Sequence, residues 1–302
     1  MGKILVSGLI NIETTVKVEG FPIEYNPINY NFFGVNSTVS GVAINMGKAL
    51  TTLGDEVTLI SMIGNDIQGN TAITELKNNK INIDYIDNSL EKTCQSVVIY
   101  DGDGRRQIHC DLKDVQEKSY DKEKFEKALN ECDIAALCNI NFSRPYLKKA
   151  REMGKLVATD VHVISDVNDE YNTDFMKYAN ILFMSDENIG DNVEDFVREV
   201  ISKCDNDIIV VGLGAKGALL YVKEDNFMER FNAVTTRKVV NTIGAGDSLF
   251  SAFLHYYNKE RNPYLALKKA IVFASYKIGE SGAAEGFLTE EELDKLYEKT
   301  NN

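Results

Sequence analysis

Asp247 follows three small residues, Gly244, Ala245 and Gly246, at the mouth of an apolar run. That run, Leu249, Phe250, Ala252, Phe253 and Leu254, is spaced as one face of a helix. A helix N-terminus presents unpaired N–H groups and a partial positive charge, which suits an anion. Residues with almost no side chain let a phosphate approach the backbone. A carboxylate at the rim could take a proton from an attacking hydroxyl. Phosphoryl transfer needs both parts, a charge cradle and a positioned base. The same pattern also fits an ordinary strand-to-helix turn, entered through Val239 and Val240, with Asp247 as the N-cap.

Other polar and small-residue clusters could serve the same chemistry. Asn11 and Glu13 lie two apart in an alternating run, so an extended chain points both to one side. There they could clasp vicinal hydroxyls, or simply face solvent. Ser40-Gly41-Val42-Ala43-Ile44-Asn45 leads into a helix over Met46–Leu53 closed by Gly54, with Asn45 in the first turn facing the same cleft. Gly64-Asn65-Asp66-Ile67-Gln68-Gly69 is a second turn into a helix. Gly212-Leu213-Gly214-Ala215-Lys216-Gly217 matches G-x-G-x-x-G, but Ala218–Val222 behind it is rich in strand formers. A strand–glycine loop–strand unit aims no helix dipole at a pyrophosphate, which argues against a nicotinamide or flavin site. A Walker P-loop sequence is absent, so any ATP would be bound by another route.

These residues need a frame to hold them. The chain has 302 residues, 44% hydrophobic and 26% charged, enough for a large buried core. Residues 3–8 and the apolar run Val57–Ile63 read as buried strands, and Ile83–Ile86 as a short one. From residue 120, helices at 122–131, 144–153, 172–178 and 191–203 alternate with strands at Ile134–Ile140, Leu156–Asp160, Ile181–Met184 and Ile208–Val211. Such alternation gives βαβ units and a parallel sheet, with ligands beyond the carboxyl ends of its strands. Gln95–Tyr100 and Arg105–Cys110 flank Asp101-Gly102-Asp103-Gly104, a hairpin turn signal. This hairpin and residues 14–20 are placed in a separate small sheet. Residues 21–37 carry two of the four prolines and five aromatics, and read as a lid, an oligomer contact or an irregular edge. Leu288–Tyr297 is an acidic amphipathic helix docked on the surface.

The net charge of −13 argues against nucleic acid as a partner. It also means that an anionic substrate needs a local positive field. The five cysteines form no C-x-x-C pair and, with three scattered histidines, suggest reduced thiols in a cytoplasmic protein without structural zinc. The run Lys3–Gly8 is too short for a signal peptide, Val6 breaks a myristoylation motif, and no run is long enough to span a membrane.

Five stretches, in order, resemble the ribokinase-like (PfkB-type) carbohydrate kinases across nearly the whole chain. Asn241-Thr242-Ile243-Gly244-Ala245-Gly246-Asp247 is similar to the family's D-T-x-G-A-G-D, Ser40–Asn45 to its G-G-x-x-x-N, and Gly8–Glu13 to its opening G-x-x-N-x-D. Gly64–Gly69 and Leu213–Gly217 match further recurring stretches. The resemblance implies a three-layer, doubly wound, mostly parallel α/β fold. It implies one kinase domain over 1–302, with β-sheet lid segments about 14–38 and 93–112. It implies ATP with Mg2+ and phosphorylation of a primary hydroxyl on a sugar. Asp247 would be the base, and Gly244, Ala245 and Gly246 the anion hole. Asn11, Glu13, Gly41 and Asn45 would contact the sugar. Thr242, Gly214, Gly217 and Ser275 would line the nucleotide site, with the segment Ala270–Ser275 closing over the base.

The chain departs from that pattern at four places. Asn241 replaces an Asp, which lowers the negative charge beside the anion site and leaves a monovalent-cation site open. Ser40 replaces a glycine, and Glu13 is one methylene longer than Asp. Ser185-Asp186-Glu187-Asn188 stands where the family has N-x-x-E, so the metal residues are undetermined, with Asp186 or Glu187 as substitutes. A nucleoside or pseudouridine kinase is the alternative, since Tyr25, Tyr30, Phe32 and Phe33 could stack on a base. They could equally join two lids in a homodimer. A catalytically silent binding protein on the same fold is the remaining reading; the intact Asp247 beside its small-residue turn argues against it.

Overall fold

The computed structural model describes residues 2–103, 105–190 and 192–301. Gly104, placed above in the hairpin turn, lies outside them. In chain order, β1 (Lys3–Ser7), β2 (Asn11–Lys17) and β3 (Val35–Ser40) precede α1 (Val42–Leu53), β4 (Glu56–Gly64) and α2 (Ile67–Asn78). β5 (Ile86–Leu90), β6 (Gln95–Tyr100) and β7 (Arg106–Asp111) come next. Helices and strands then alternate: α3 (Lys122–Glu131), β8 (Ile134–Leu137), α4 (Arg144–Glu152), β9 (Leu156–Val163), α5 (Thr173–Tyr178), β10 (Ile181–Ser185), α6 (Val193–Lys203) and β11 (Ile208–Gly212). β12 (Ala218–Val222) and β13 (Phe227–Phe231) lead to three helices, α7 (Ala245–Glu260), α8 (Pro263–Lys277) and α9 (Glu290–Asn301).

The described residues form a nine-stranded sheet ordered β13-β12-β11-β10-β9-β8-β1-β4-β5. It is parallel from β11 to β5, and β12 and β13 add antiparallel at one edge. Side chains alternate across it. Ile4 and Val6 of β1 join the core under α1, α2, α7 and α8, whereas Leu5 joins the core under α3 to α6. Burial on both faces is why these strands read as unbroken apolar runs.

The order reverses between β1 and β8. From β1 the chain winds outward through β4 and β5, and from β8 it winds the other way. The helices that follow the two strands, α1 and α4, pack on opposite faces of the sheet, which leaves a crevice beyond the strands' carboxyl ends. Cys138 N–H donates to the Ser7 carbonyl at 2.9 Å and closes its floor. A second sheet, ordered β3-β2-β6-β7, stands over this end because β2 follows β1 after only three residues.

Several boundaries differ from the sequence expectations. The turn before α7 is entered by no strand. Val239 and Val240 are 51% and 60% exposed, and the N–H groups of Val240 and Asn241 both donate to the Ile278 carbonyl at the end of α8. That single anchor replaces a strand ladder. The short strand expected at 83–86 starts at Ile86, since Asn82 Oδ1 captures the Asp84 N–H in a local turn. β3 and β13 carry no clear alternation and are seen only as paired edges. α9 docks through buried Leu293 and through Asp294, which accepts from Tyr256 and Lys269. The five cysteines are unpaired, and Cys94, Cys132 and Cys138 are buried.

Candidate active site

α7 begins at Ala245, so Asp247 belongs to its first turn and is not its N-cap. Gly244 takes the N-cap position at φ 75°, a left-handed conformation that favours glycine. A Cβ there would lie 2.3 Å from the Ala283 carbonyl oxygen, so the turn packs backbone on backbone. A Cβ on Gly246 would meet nothing within 4 Å. The open side of the turn is therefore at Gly246. Helix geometry leaves first-turn N–H groups without intrahelical acceptors. That of Ala245 reaches back to the Thr242 carbonyl at 3.2 Å.

The Asp247 side chain turns to α1, where Asn45 Nδ2 donates to its Oδ2 at 2.7 Å. A carboxylate only accepts, so the amide nitrogen must face it and Asn45 Oδ1 must point elsewhere. That oxygen is buried without a partner, and so is Asn11 Oδ1. A buried unpaired acceptor costs about 1–3 kcal/mol, so both call for donors from outside the chain. Asn11 Nδ2 meanwhile holds Ser96 Oγ at 2.7 Å, tying β2 to β6. Gly41 (φ 103°) brings α1 against this point. Its Cβ would fall 2.5 Å from the Leu9 carbonyl, which also accepts from Ala43 N–H. The glycine thus serves a close backbone approach inside the protein, beside Asn11.

The charges around the crevice act on one another. Desolvation pushes the Asp247 carboxyl up from its ordinary range, opposed by the Asn45 hydrogen bond and the charges of His162 and Lys277. Glu13 on β2 is also pushed up, by burial first and then by Asp247, while Lys277 and Arg106 oppose the shift. Lys277 at the end of α8 is fully buried and donates to the Ile243 carbonyl. Burial pulls its ammonium down to about 8. Asp160, inside β9, is buried and accepts from the His162 N–H at 2.8 Å.

The structure therefore gathers Asn11, Glu13, Gly41, Asn45 and the turn Gly244–Asp247 around one crevice. Thr242 is exposed just before the turn. Gly214 opens a short 3₁₀ turn beyond β11, and Gly217 is backed onto the Phe231–Ala233 backbone. A recess of about 180 Å³ lies beyond, lined by Phe231, Asn232, Val234, Ile271 and Val272 among others. The Ser275 hydroxyl is committed elsewhere: it donates to the Val234 carbonyl at 2.7 Å and accepts from the Thr236 N–H at 3.1 Å. It clips the segment that carries the turn. Sequence reading missed Lys277, Asp160, His162 and Arg106 at this site. Arg106 on β7 reaches Glu187 after β10 at 3.1 Å, bridging the two sheets. Only Asp160 left a signal, an acid closing the strand expected at Leu156–Asp160, and β9 runs on to Val163. Among the described residues, no three His, Cys, Asp or Glu side chains converge as a metal cage.

Comparison with known proteins gives the family and the fold. The family model described as pfkB family carbohydrate kinase matches residues 1–290. A ribokinase from Dictyostelium discoideum is 28% identical over 301 residues, covering 90% of this chain and 92% of that protein. A microbiome-derived acarbose kinase superposes with a TM-score of 0.88 at 22% identity, over 98% of this chain and 99% of that one. The nucleoside kinase of Methanocaldococcus jannaschii superposes with a TM-score of 0.78, also at 22% identity and over 99% of both chains. With the doubly wound sheet, the second small sheet and a model match over nearly its full length, the chain belongs to the pfkB family of carbohydrate kinases.

Proposed function

We propose that this protein transfers the γ-phosphoryl group of ATP to a primary hydroxyl of a sugar or sugar-containing small molecule. The observation that carries it is the Asn45–Asp247 hydrogen bond at the open first turn of α7, with the unpaired Asn45 Oδ1 beside it. Asp247 is the base that takes the hydroxyl proton, and its raised pKa brings it closer to working pH, where a base is most effective. The N–H groups at Gly244, Ala245 and Gly246 receive the migrating phosphoryl charge. Asn11, Glu13 and Asn45 hold the acceptor's hydroxyls, and Gly41 fixes Asn11 against α1.

The adenine ring lies in the recess between Phe231–Val234 and α8. Its backing by Gly217 and its apolar lining of Ile271 and Val272 support that placement. Gly214 and Thr242 border the phosphate path, and Ser275 acts by clipping Val234 and Thr236. Mg2+ would come with the nucleotide, held largely by phosphates and water, which requires no protein cage. When bound it would offset phosphate charge. Asp186 and Glu187 after β10 are the acids available to it, and Glu187 is partly engaged by Arg106.

The whole chain forms one kinase unit, with the β3-β2-β6-β7 sheet as a lid over the acceptor. Tyr25, Tyr30, Phe32 and Phe33 are 79–100% exposed, which supports a contact between two copies over a stacking platform for a nucleobase. A sugar acceptor is therefore preferred to a nucleoside. An ATP-consumption screen against free pentoses, hexoses and nucleosides tests this. Turnover with a sugar supports it, turnover with nucleosides alone moves the acceptor class, and no ATP-dependent product with any acceptor overturns it.

A further inference from the structure

Lys277 is a cation without an explained task. A lysine is almost never fully buried unless paired, and this one is shielded completely at the last position of α8. Its Nζ donates to the carbonyl of Ile243, the residue directly before the N-cap Gly244. Asp247 is the nearest in effect of the acids that favour its charge, followed by Glu285, Glu13 and Glu280. The ammonium therefore sits against the phosphoryl turn, within the field of Asp247.

Asn241 completes the arrangement. Its Nδ2 donates to the Ser281 carbonyl at 2.8 Å while its Oδ1 accepts from the Ile243 N–H at 3.0 Å. The loop 241–243 and the chain after α8 thus meet through two carbonyls, Ile243 and Ser281, and each is closed by a donor from the protein. An Asp at position 241 has no hydrogen to offer Ser281. A carboxylate placed against the Ser281 carbonyl would need a cation between them. With Asn241 and Lys277 the chain itself supplies the donors at both carbonyls.

We infer that the Lys277 ammonium is the built-in cation of the phosphoryl turn, so that the protein works without a bound monovalent cation. It fixes the Ile243 carbonyl and adds a positive charge beside the N–H groups that receive the phosphoryl group. In a chain of net charge −13, that supplies the local positive field an anionic donor needs. Lys277 is a positioning residue here, since it acts through the turn. The inference rests on the phosphotransfer reading.

The test compares wild type and Lys277→Met with tetramethylammonium as the only monovalent cation, then with K+ or ammonium added. Wild-type rate is expected to be indifferent to the change. The kcat of Lys277→Met is expected to fall about a hundredfold with both KM values little moved, and to recover in part with K+ or ammonium. Thermal melts of the ligand-free proteins give a second readout. K+ should raise the melting temperature of Lys277→Met and leave that of wild type unchanged. Several-fold activation or clear stabilisation of wild type by K+ overturns the inference. So does a folded variant that keeps its kcat, or one that is inactive and restored by neither cation. The wild-type comparison needs no variant to fold. If no acceptor is phosphorylated in any buffer, the kinase reading has failed, and the melts still decide the cation question.

Discussion

Asn45 and Asp247 are 202 residues apart in the chain and 2.7 Å apart in the structure. One stands in the first turn of α1 and the other in the first turn of α7, and both helices lie on the same face of the main sheet. The bond points the carboxylate and leaves the amide oxygen free for an acceptor. Each of the following expectations depends on this meeting of two helix N-termini over the β1/β8 crevice.

Asp247→Asn should lower kcat by about three orders of magnitude, because a general base contributes to the transition state far more than to binding. ATP affinity measured by calorimetry should stay near wild type. Unchanged turnover would remove Asp247 from the role of base.

Asn45→Ala removes a hydrogen bond to the ionised form of Asp247, and that form alone accepts a proton. The carboxyl pKa, already raised by burial, should rise further. The acid limb of the kcat profile should then move to higher pH by about one to two units. An acid limb that stays in place would show that Asn45 does not tune the base.

Glu13→Ala should weaken the acceptor strongly and ATP little, read as a rise in acceptor KM. Glu13 lies on β2 of the small sheet, while the nucleotide recess lies at the α8 side of the molecule. Equal effects on both substrates would place Glu13 outside the acceptor site.

Two glycines of one turn should respond in opposite ways. Gly244→Ala forces a left-handed φ on alanine and drives its Cβ against the Ala283 carbonyl, so stability should fall by about 1–3 kcal/mol in denaturant titration. Gly246→Ala meets open space and sits in a helix, so the fold should be retained or stabilised by about 0.5–1 kcal/mol. Activity should nevertheless fall, because the methyl occupies the approach to the phosphates. An active Gly246→Ala would move the anion site elsewhere.

The sequence by itself determined the class of fold and marked the turn at the centre of the proposed site. Unbroken apolar runs such as Ile208–Val211 mark strands covered on both faces, and the amphipathic segment Val193–Lys203 marks a helix with one buried face. Those signals are local, since each residue's alternation or periodicity is fixed by its near neighbours. The turn Gly244–Asp247 was legible for the same reason, as a small-residue loop, an acid and a helix start within a few positions. Only the tertiary structure decided what the turn works with. Lys277 is one of three lysines on α8, and nothing in its neighbours says that its ammonium will close on Ile243. Arg106 reads as one charge on a hairpin until β7 is set opposite β10. The stretch at Val239–Val240 favours a strand by composition, yet it finds no partner strand and is held by the Ile278 carbonyl instead. Which side chains meet is set by strand order and by the point where the winding reverses, and those follow from packing the whole chain around two cores, which no short stretch encodes.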